Sequence, residues 1–224
     1  MAVGQPEFPE FVNNPEPRCP VILLLDTSGS MKGKPIEELN KGIEVFKREI
    51  QQDPIAALRV EVAIITFGPV HLAQDFITID DFISPVLTAN NTTPMGEAIE
   101  YAMNLLEDRK ETYRNNGMQY YQPWVFLITD GAPDLDSPWQ RASQLVRRSD
   151  SEKKLSFFTV GVEGADMNIL KQIAPPIRPP LMLKGLDFQS MFVWLSQSMT
   201  RVSSGKVGGG MTDLPPVGWG QISS

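Results

Sequence analysis

Cysteine and histidine are almost missing from this chain: its 224 residues include one of each, Cys19 and His71. A single cysteine excludes an intrachain disulfide and any cysteine-rich metal site. A single histidine leaves a Ser/His/Asp triad one candidate base, and His71 falls in a stretch that reads as a strand. Cys19, beside Pro20 at the start of an apolar run, is expected to be inert. Clustered positive charge is lacking too. Twenty Lys and Arg against 27 Asp and Glu give a net charge of −7, a poor balance for duplex nucleic acid, whose phosphates need grouped cations. The one dense basic stretch, Arg147-Arg148 with Lys153-Lys154, is broken by Asp150 and Glu152 and reads as a solvated helix end. No apolar run approaches the ~18 residues of a membrane span. The first twenty residues lack the basic start and apolar stretch of a signal peptide, so the expected compartment is the cytoplasm. Two phosphate-binding patterns are absent as well. In "GSMKGKP" Lys34 is followed by Pro35 rather than Ser or Thr, and no G-x-G-x-x-G follows the first strand, so neither a phosphate-cradling loop nor a dinucleotide site is expected.

What is present suits an ordinary globular domain, with 42% hydrophobic and 21% charged residues. "PVILLLD" (20–26) is a continuous apolar run, the pattern of a strand buried on both faces. Pro35 then opens a helix whose apolar face is Ile36, Leu39, Ile43, Phe46 and Ile50. "VEVAIITF" (60–67) is a second strand, and "VHLAQDFITI" (70–79) pairs with it across the Gly68-Pro69 turn. Pro94 starts another helix, "WVFLITD" (124–130) is a buried strand, and "SPWQ" (137–140) resembles a capping box with Ser137 as N-cap. "LSFFTVGV" (155–162) is a further strand, followed by a short helix near 166–173, a brief strand near 181–183 and a last helix after Asp187.

Strands alternating with helices predict a three-layer, Rossmann-like, doubly wound α/β fold. Its sheet is mostly parallel with one antiparallel edge strand, and helices cover both faces. Residues 1–19 read as an extended arm whose Phe8, Phe11 and Val12 are able to pack on the domain. Residues 20–203 form the domain, and the Gly-rich 204–224 reads as a flexible tail.

In open α/β sheets, sites form beyond the carboxyl ends of the strands. Two strands end there on an acid, Asp26 and Asp130. Ser28 and Ser30 lie in the loop after the first strand, and Thr93 lies just before a helix. Five oxygen-bearing side chains are therefore placed to converge: Asp26, Ser28, Ser30, Thr93 and Asp130. An all-oxygen set suits a hard divalent cation, Mg2+ or Mn2+, and not zinc. Mg2+ takes about six oxygens, so such a shell has room for an outside ligand. If the hydroxyls bind directly and the acids sit behind them, the ion keeps much of its charge and attracts a carboxylate. Taken singly, each residue has a plainer reading as a turn former or helix cap; Asp134, after Pro133, reads as a turn acid or a shaper of the rim of this face.

"DTSGSM" (26–31) resembles the metal-ion-dependent adhesion site of von Willebrand factor A domains, whose signature is D-x-S-x-S. "TTPMGEAI" (92–99) is similar to that family's threonine segment, which puts its metal threonine on Thr93, and "ITDGAPD" (128–134) is similar to its T-D-G, which puts its aspartate on Asp130. The resemblance implies a non-enzymatic, Mg2+-dependent protein-binding module in which an Asp or Glu of a partner completes the metal shell. The stretch "FPEFVNNPEPRCPVILLLDTSGSM" further resembles the TerY-type bacterial members associated with tellurium resistance and stress. Two other readings compete. An aspartate-nucleophile phosphatase also places Mg2+ at the end of its first strand, but it needs an acid where this chain has Ser28. A structural domain would keep the fold without using the ion.

Overall fold

The structure is a computed structural model that describes residues 9–90, 92–209 and 212–222. In chain order its elements are α1 (Pro9–Asn13), β1 (Cys19–Asp26), α2 (Lys34–Ile50), α3 (Pro54–Arg59), β2 (Val60–Phe67), β3 (Val70–Thr78) and α4 (Met95–Asn115). There follow β4 (Trp124–Thr129), α5 (Trp139–Ser151), β5 (Ser156–Gly161), α6 (Met167–Ile173), β6 (Leu181–Leu183), α7 (Phe188–Ser204) and β7 (Gly220–Ile222). The sheet order is β3-β2-β1-β4-β5-β6-β7. The pairs from β2 to β6 are parallel, and β3 and β7 close the two edges antiparallel.

The alternation of β1 divides the core. Val21, Leu23 and Leu25 face α2 and α7 with Ile43, Phe46, Phe192 and Leu195, while Ile22 and Leu24 face α4 and α5 with Ile99, Ala102, Ala142 and Val146. Every residue of β1 and β2 is buried, as their unbroken apolar runs require. Strand order reverses between β1 and β4, so the switch point of the sheet lies between the ends of those two strands.

Several local readings change on folding. The stretch expected to be an extended arm contains α1, whose Phe11 is fully buried while Val12 is exposed; Phe8 lies outside the described residues. Asp53 caps α3, accepting from the Ile55 and Ala56 amides at 2.9 and 3.0 Å, a short helix the apolar periodicity does not reveal. Asp150 is not a solvated acid: it is buried, accepts the Phe157 amide at 3.0 Å and pairs with Arg178. The stretch expected to be a flexible tail returns to the sheet as β7, a second antiparallel edge strand. The reason is aromatic: Trp219 is buried with its ring centroid 5.7 Å from that of Trp194, and the Trp194 indole donates to the Pro215 carbonyl at 2.8 Å.

Cys19 is fully buried in β1, and burial, with the charge of Glu61 adding to it, pushes its thiol up to about 12. Only a thiolate attacks a disulfide reagent. The native protein is therefore expected to give no reaction with an aromatic disulfide at pH 8, and one thiol equivalent after denaturation. Rapid reaction of the folded protein would contradict the packing of β1.

Candidate metal centre

β1 ends on Asp26 in register with Phe67 of β2. The chain then turns through a 3-10 segment, Gly29–Met31, and reaches α2 through Gly33 at φ 84°, a left-handed conformation that glycine adopts without strain. The turn rests on the neighbouring hairpin. A Cβ on Gly68 would lie 2.5 Å from the Thr27 carbonyl oxygen and 2.9 Å from the Ser28 amide, so only glycine lets the β2–β3 turn support this loop.

Asp26 is fully buried and both of its oxygens are used. Oδ1 accepts the Ser28 amide at 2.8 Å, and Oδ2 accepts the hydroxyl of Thr129, the last residue of β4. The Thr129 oxygen in turn accepts the Gly131 amide at 3.2 Å. From there the hydroxyls form a chain. Ser28 Oγ and Ser30 Oγ lie 2.9 Å apart, and Ser30 Oγ donates to Asp130 Oδ1 at 2.7 Å. Four of the five residues singled out in the sequence are thus linked. The fifth, Thr93, is tied through its backbone. Its amide donates to Asp134 Oδ2 at 3.0 Å and its carbonyl accepts the Asp134 amide at 3.0 Å. The same loop is held to β1 where the Asn90 amide donates to the Thr27 carbonyl at 2.6 Å.

The electrostatics favour a cation. Burial raises the carboxyl pKa of Asp26, which the hydrogen bonds from Ser28 and Thr129 offset in part and the charge of Asp130 reinforces. Burial likewise raises that of Asp130, against the hydrogen bond from Ser30. Among the described residues neither acid forms an ion pair with Lys or Arg. Two desolvated carboxylates with no basic partner are costly unless a counter-charge arrives. Among the described residues no three His, Cys, Asp or Glu side chains gather to hold a metal. The candidate set contains only two acids, and its other oxygens are hydroxyls. That composition fits a hard divalent ion.

The family model of the von Willebrand factor type A domain matches residues 21–191. The chain belongs to that family. No curated protein matches it, but solved structures share its fold. The von Willebrand factor domain of the Porphyromonas gingivalis pilus tip protein Mfa5 superimposes with a TM-score of 0.60 at 12% identity, covering 89% of this chain and 99% of that one. The mussel byssus proximal thread matrix protein 1 gives 0.57 at 17% identity, covering 83% of this chain and 48% of that one, so this chain spans about half of that protein. Manganese-loaded TRAP from Plasmodium vivax gives 0.51 at 16% identity, covering 80% and 73%. Within the von Willebrand factor A fold the carboxyl ends of β1 and β4 carry the Asp26–Asp130 constellation described above. Among the described residues no helix is long and apolar enough to cross a membrane.

Other site features were not anticipated. Thr129, in the "T-D-G" stretch, orients Asp26 rather than merely preceding Asp130. Ser137 does not cap its own helix: α5 has Pro138 in the capping position, and the Ser137 hydroxyl instead accepts the Gly96 amide of α4 at 2.9 Å. Asp134 is the partner of Thr93 rather than a free turn acid. His71 is an exposed residue of the edge strand β3.

Proposed function

We propose that this chain is a non-enzymatic, divalent-cation-dependent protein-binding module. The reading rests above all on the pair of desolvated carboxylates that have no basic partner among the described residues and lie beside a line of hydroxyls at the switch point of the sheet. Asp26, Ser28, Ser30, Thr93 and Asp130 would hold the ion, Mg2+ or Mn2+, and a partner's Asp or Glu would complete its shell. The manganese-loaded state of the TRAP relative supports a divalent ion in this fold. Ser28 speaks against the phosphatase reading. Its hydroxyl lies 2.9 Å from that of Ser30 and offers no proton at a pKa useful to a general acid. The similarity of the N-terminal stretch to TerY-type proteins supports a bacterial, cytoplasmic stress role of the tellurium-resistance kind.

The test is capture of partners from a native lysate on immobilised protein, in Mg2+, in Mg2+ with excess acetate, and in EDTA. A protein retained in Mg2+ and released by both acetate and EDTA is the expected outcome, because acetate presents the same carboxylate to the ion. Equal retention in all three conditions would move recognition off this face.

A further inference from the structure

The helix that follows Thr93 has an N-terminus without a cap of its own. Pro94 occupies the capping position of α4 and has no side chain able to accept a hydrogen bond, and the first amides of a helix need acceptors from outside it. The Met95 amide turns back to the Thr93 carbonyl at 2.8 Å, and a different loop supplies the rest: Ser137 Oγ takes the Gly96 amide at 2.9 Å, and Asp134 Oδ2 takes the amide of Thr93, just before the helix, at 3.0 Å. The exchange is reciprocal: the Asp134 amide donates to the Thr93 carbonyl at 3.0 Å, and Ser137 Oγ donates to Glu97 Oε2 at 2.6 Å. Asp134 and Ser137 are also joined, the Ser137 amide donating to the Asp134 carbonyl at 3.0 Å. The approach is close enough to need glycine, since a Cβ on Gly96 would lie 2.5 Å from the Trp139 amide nitrogen.

We propose that Asp134 and Ser137 are positioning residues that lock the Thr93 turn onto the loop carrying Asp130, and so set the affinity of the site for a divalent ion. The inference rests on the metal reading above. Asp130 and Asp134 are four residues apart on one loop, whereas Thr93 arrives from another, 37 positions before Asp130 (130 minus 93). Among the described residues, this clamp is what fastens the Thr93 backbone directly to the Asp130 loop. Without it the loop keeps its tie through the Asn90 amide on the Thr27 carbonyl, but the Thr93 backbone loses its bonds to the loop that carries Asp130. Partners that orient metal-binding side chains typically contribute 10- to 100-fold in affinity.

The experiment is Mg2+ titration calorimetry on the full chain as wild type, Asp134→Ala, Asp134→Asn and Ser137→Ala, with metal-free hydrogen exchange at Thr93 and Gly96 as a second readout. Asp134→Ala is expected to bind Mg2+ about 10- to 100-fold more weakly and to exchange both amides faster. Asp134→Asn keeps a carbonyl acceptor for the Thr93 amide while losing the charge, and is expected to bind close to wild type. Ser137→Ala, which changes no charge, weakens binding in the same direction as Asp134→Ala. Wild-type affinity in Asp134→Ala overturns the inference alone. Equal loss in the Asn and Ala variants overturns it too, because Asp134 would then act by charge. A wild-type protein that takes up no Mg2+ overturns the metal reading and this inference together.

Discussion

Glu61→Ala is expected to destabilise the protein by about 3–5 kcal/mol, the cost of breaking a buried charge network by removing one partner, out of a total stability of about 5–15 kcal/mol. Glu61 is fully buried near the start of β2, at the end of the sheet opposite the candidate metal centre. Its carboxylate accepts Arg18 Nε at 2.7 Å, Arg109 Nε at 3.0 Å, Arg109 Nη2 at 2.8 Å and the Tyr113 hydroxyl. Burial works against the charge of Arg109, but hydrogen bonds to Glu10 and Glu61 more than offset it and raise its pKa. Burial, with the charge of Glu61 adding to it, holds the Tyr113 hydroxyl well above its ordinary pKa, so it stays a donor. Removing Glu61 takes away the carboxylate paired with Arg18, which is 1% exposed, and leaves Arg109 with Glu10 as its remaining acid. It also loosens α1, which is held by Glu10 on Arg109 at 2.9 and 3.0 Å and by Phe11 under both guanidinium groups, at 5.3 and 5.2 Å. Glu61→Gln keeps the shape and loses the charge, and should fall between the two. Urea unfolding measures both. A loss below about 1 kcal/mol in Glu61→Ala, the range of an exposed pair, would contradict the network.

The layout was legible because it is written in local patterns. The apolar runs of β1, β2 and β4 mark strands buried on both faces, and the spacing of Ile36, Leu39, Ile43 and Phe46 marks the inner face of α2. The five candidate residues stand out because strand ends, a short turn and a helix start fix where each side chain emerges. The Glu61 network was not legible for the opposite reason. A lone Glu inside "VEVAIITF" is a visible anomaly, but its partners Arg109 and Tyr113 lie 48 and 52 residues away on α4, and only the packing of α4 against β2 brings them to it. Asp134 and Ser137 show a subtler failure. Ser-Pro before a helix is a sound local cap signal, yet Ser137 serves the neighbouring helix, because the N-termini of α4 and α5 meet at Gly96. The C-terminal return was hidden by glycines that read as flexibility, while the anchor, Trp219, is a single residue whose aromatic pocket is assembled from β4, β5 and α7.

Asp26→Ala is expected to remove divalent-ion binding, with an affinity loss beyond about 100-fold, since a proposed ligand is lost together with the acceptor that orients Ser28. Asp26 carries one of the two buried charges, fixes Ser28 through its amide and couples β1 to β4 through Thr129. The fold should survive. The Ser28 amide and the Thr129 hydroxyl lose their acceptor, at about 1–3 kcal/mol for each group left unsatisfied, within the stability of an ordinary domain. Asp26→Asn retains one carbonyl acceptor and is the gentler control. The most direct measurement is Mg2+ titration calorimetry on the chelator-treated wild type beside Asp26→Ala, with circular dichroism to establish that both are folded. One saturable site in the wild type and none in the folded variant is the result expected. A flat wild-type titration, or equal affinity in the two proteins, would contradict the assignment of this constellation to a metal ion.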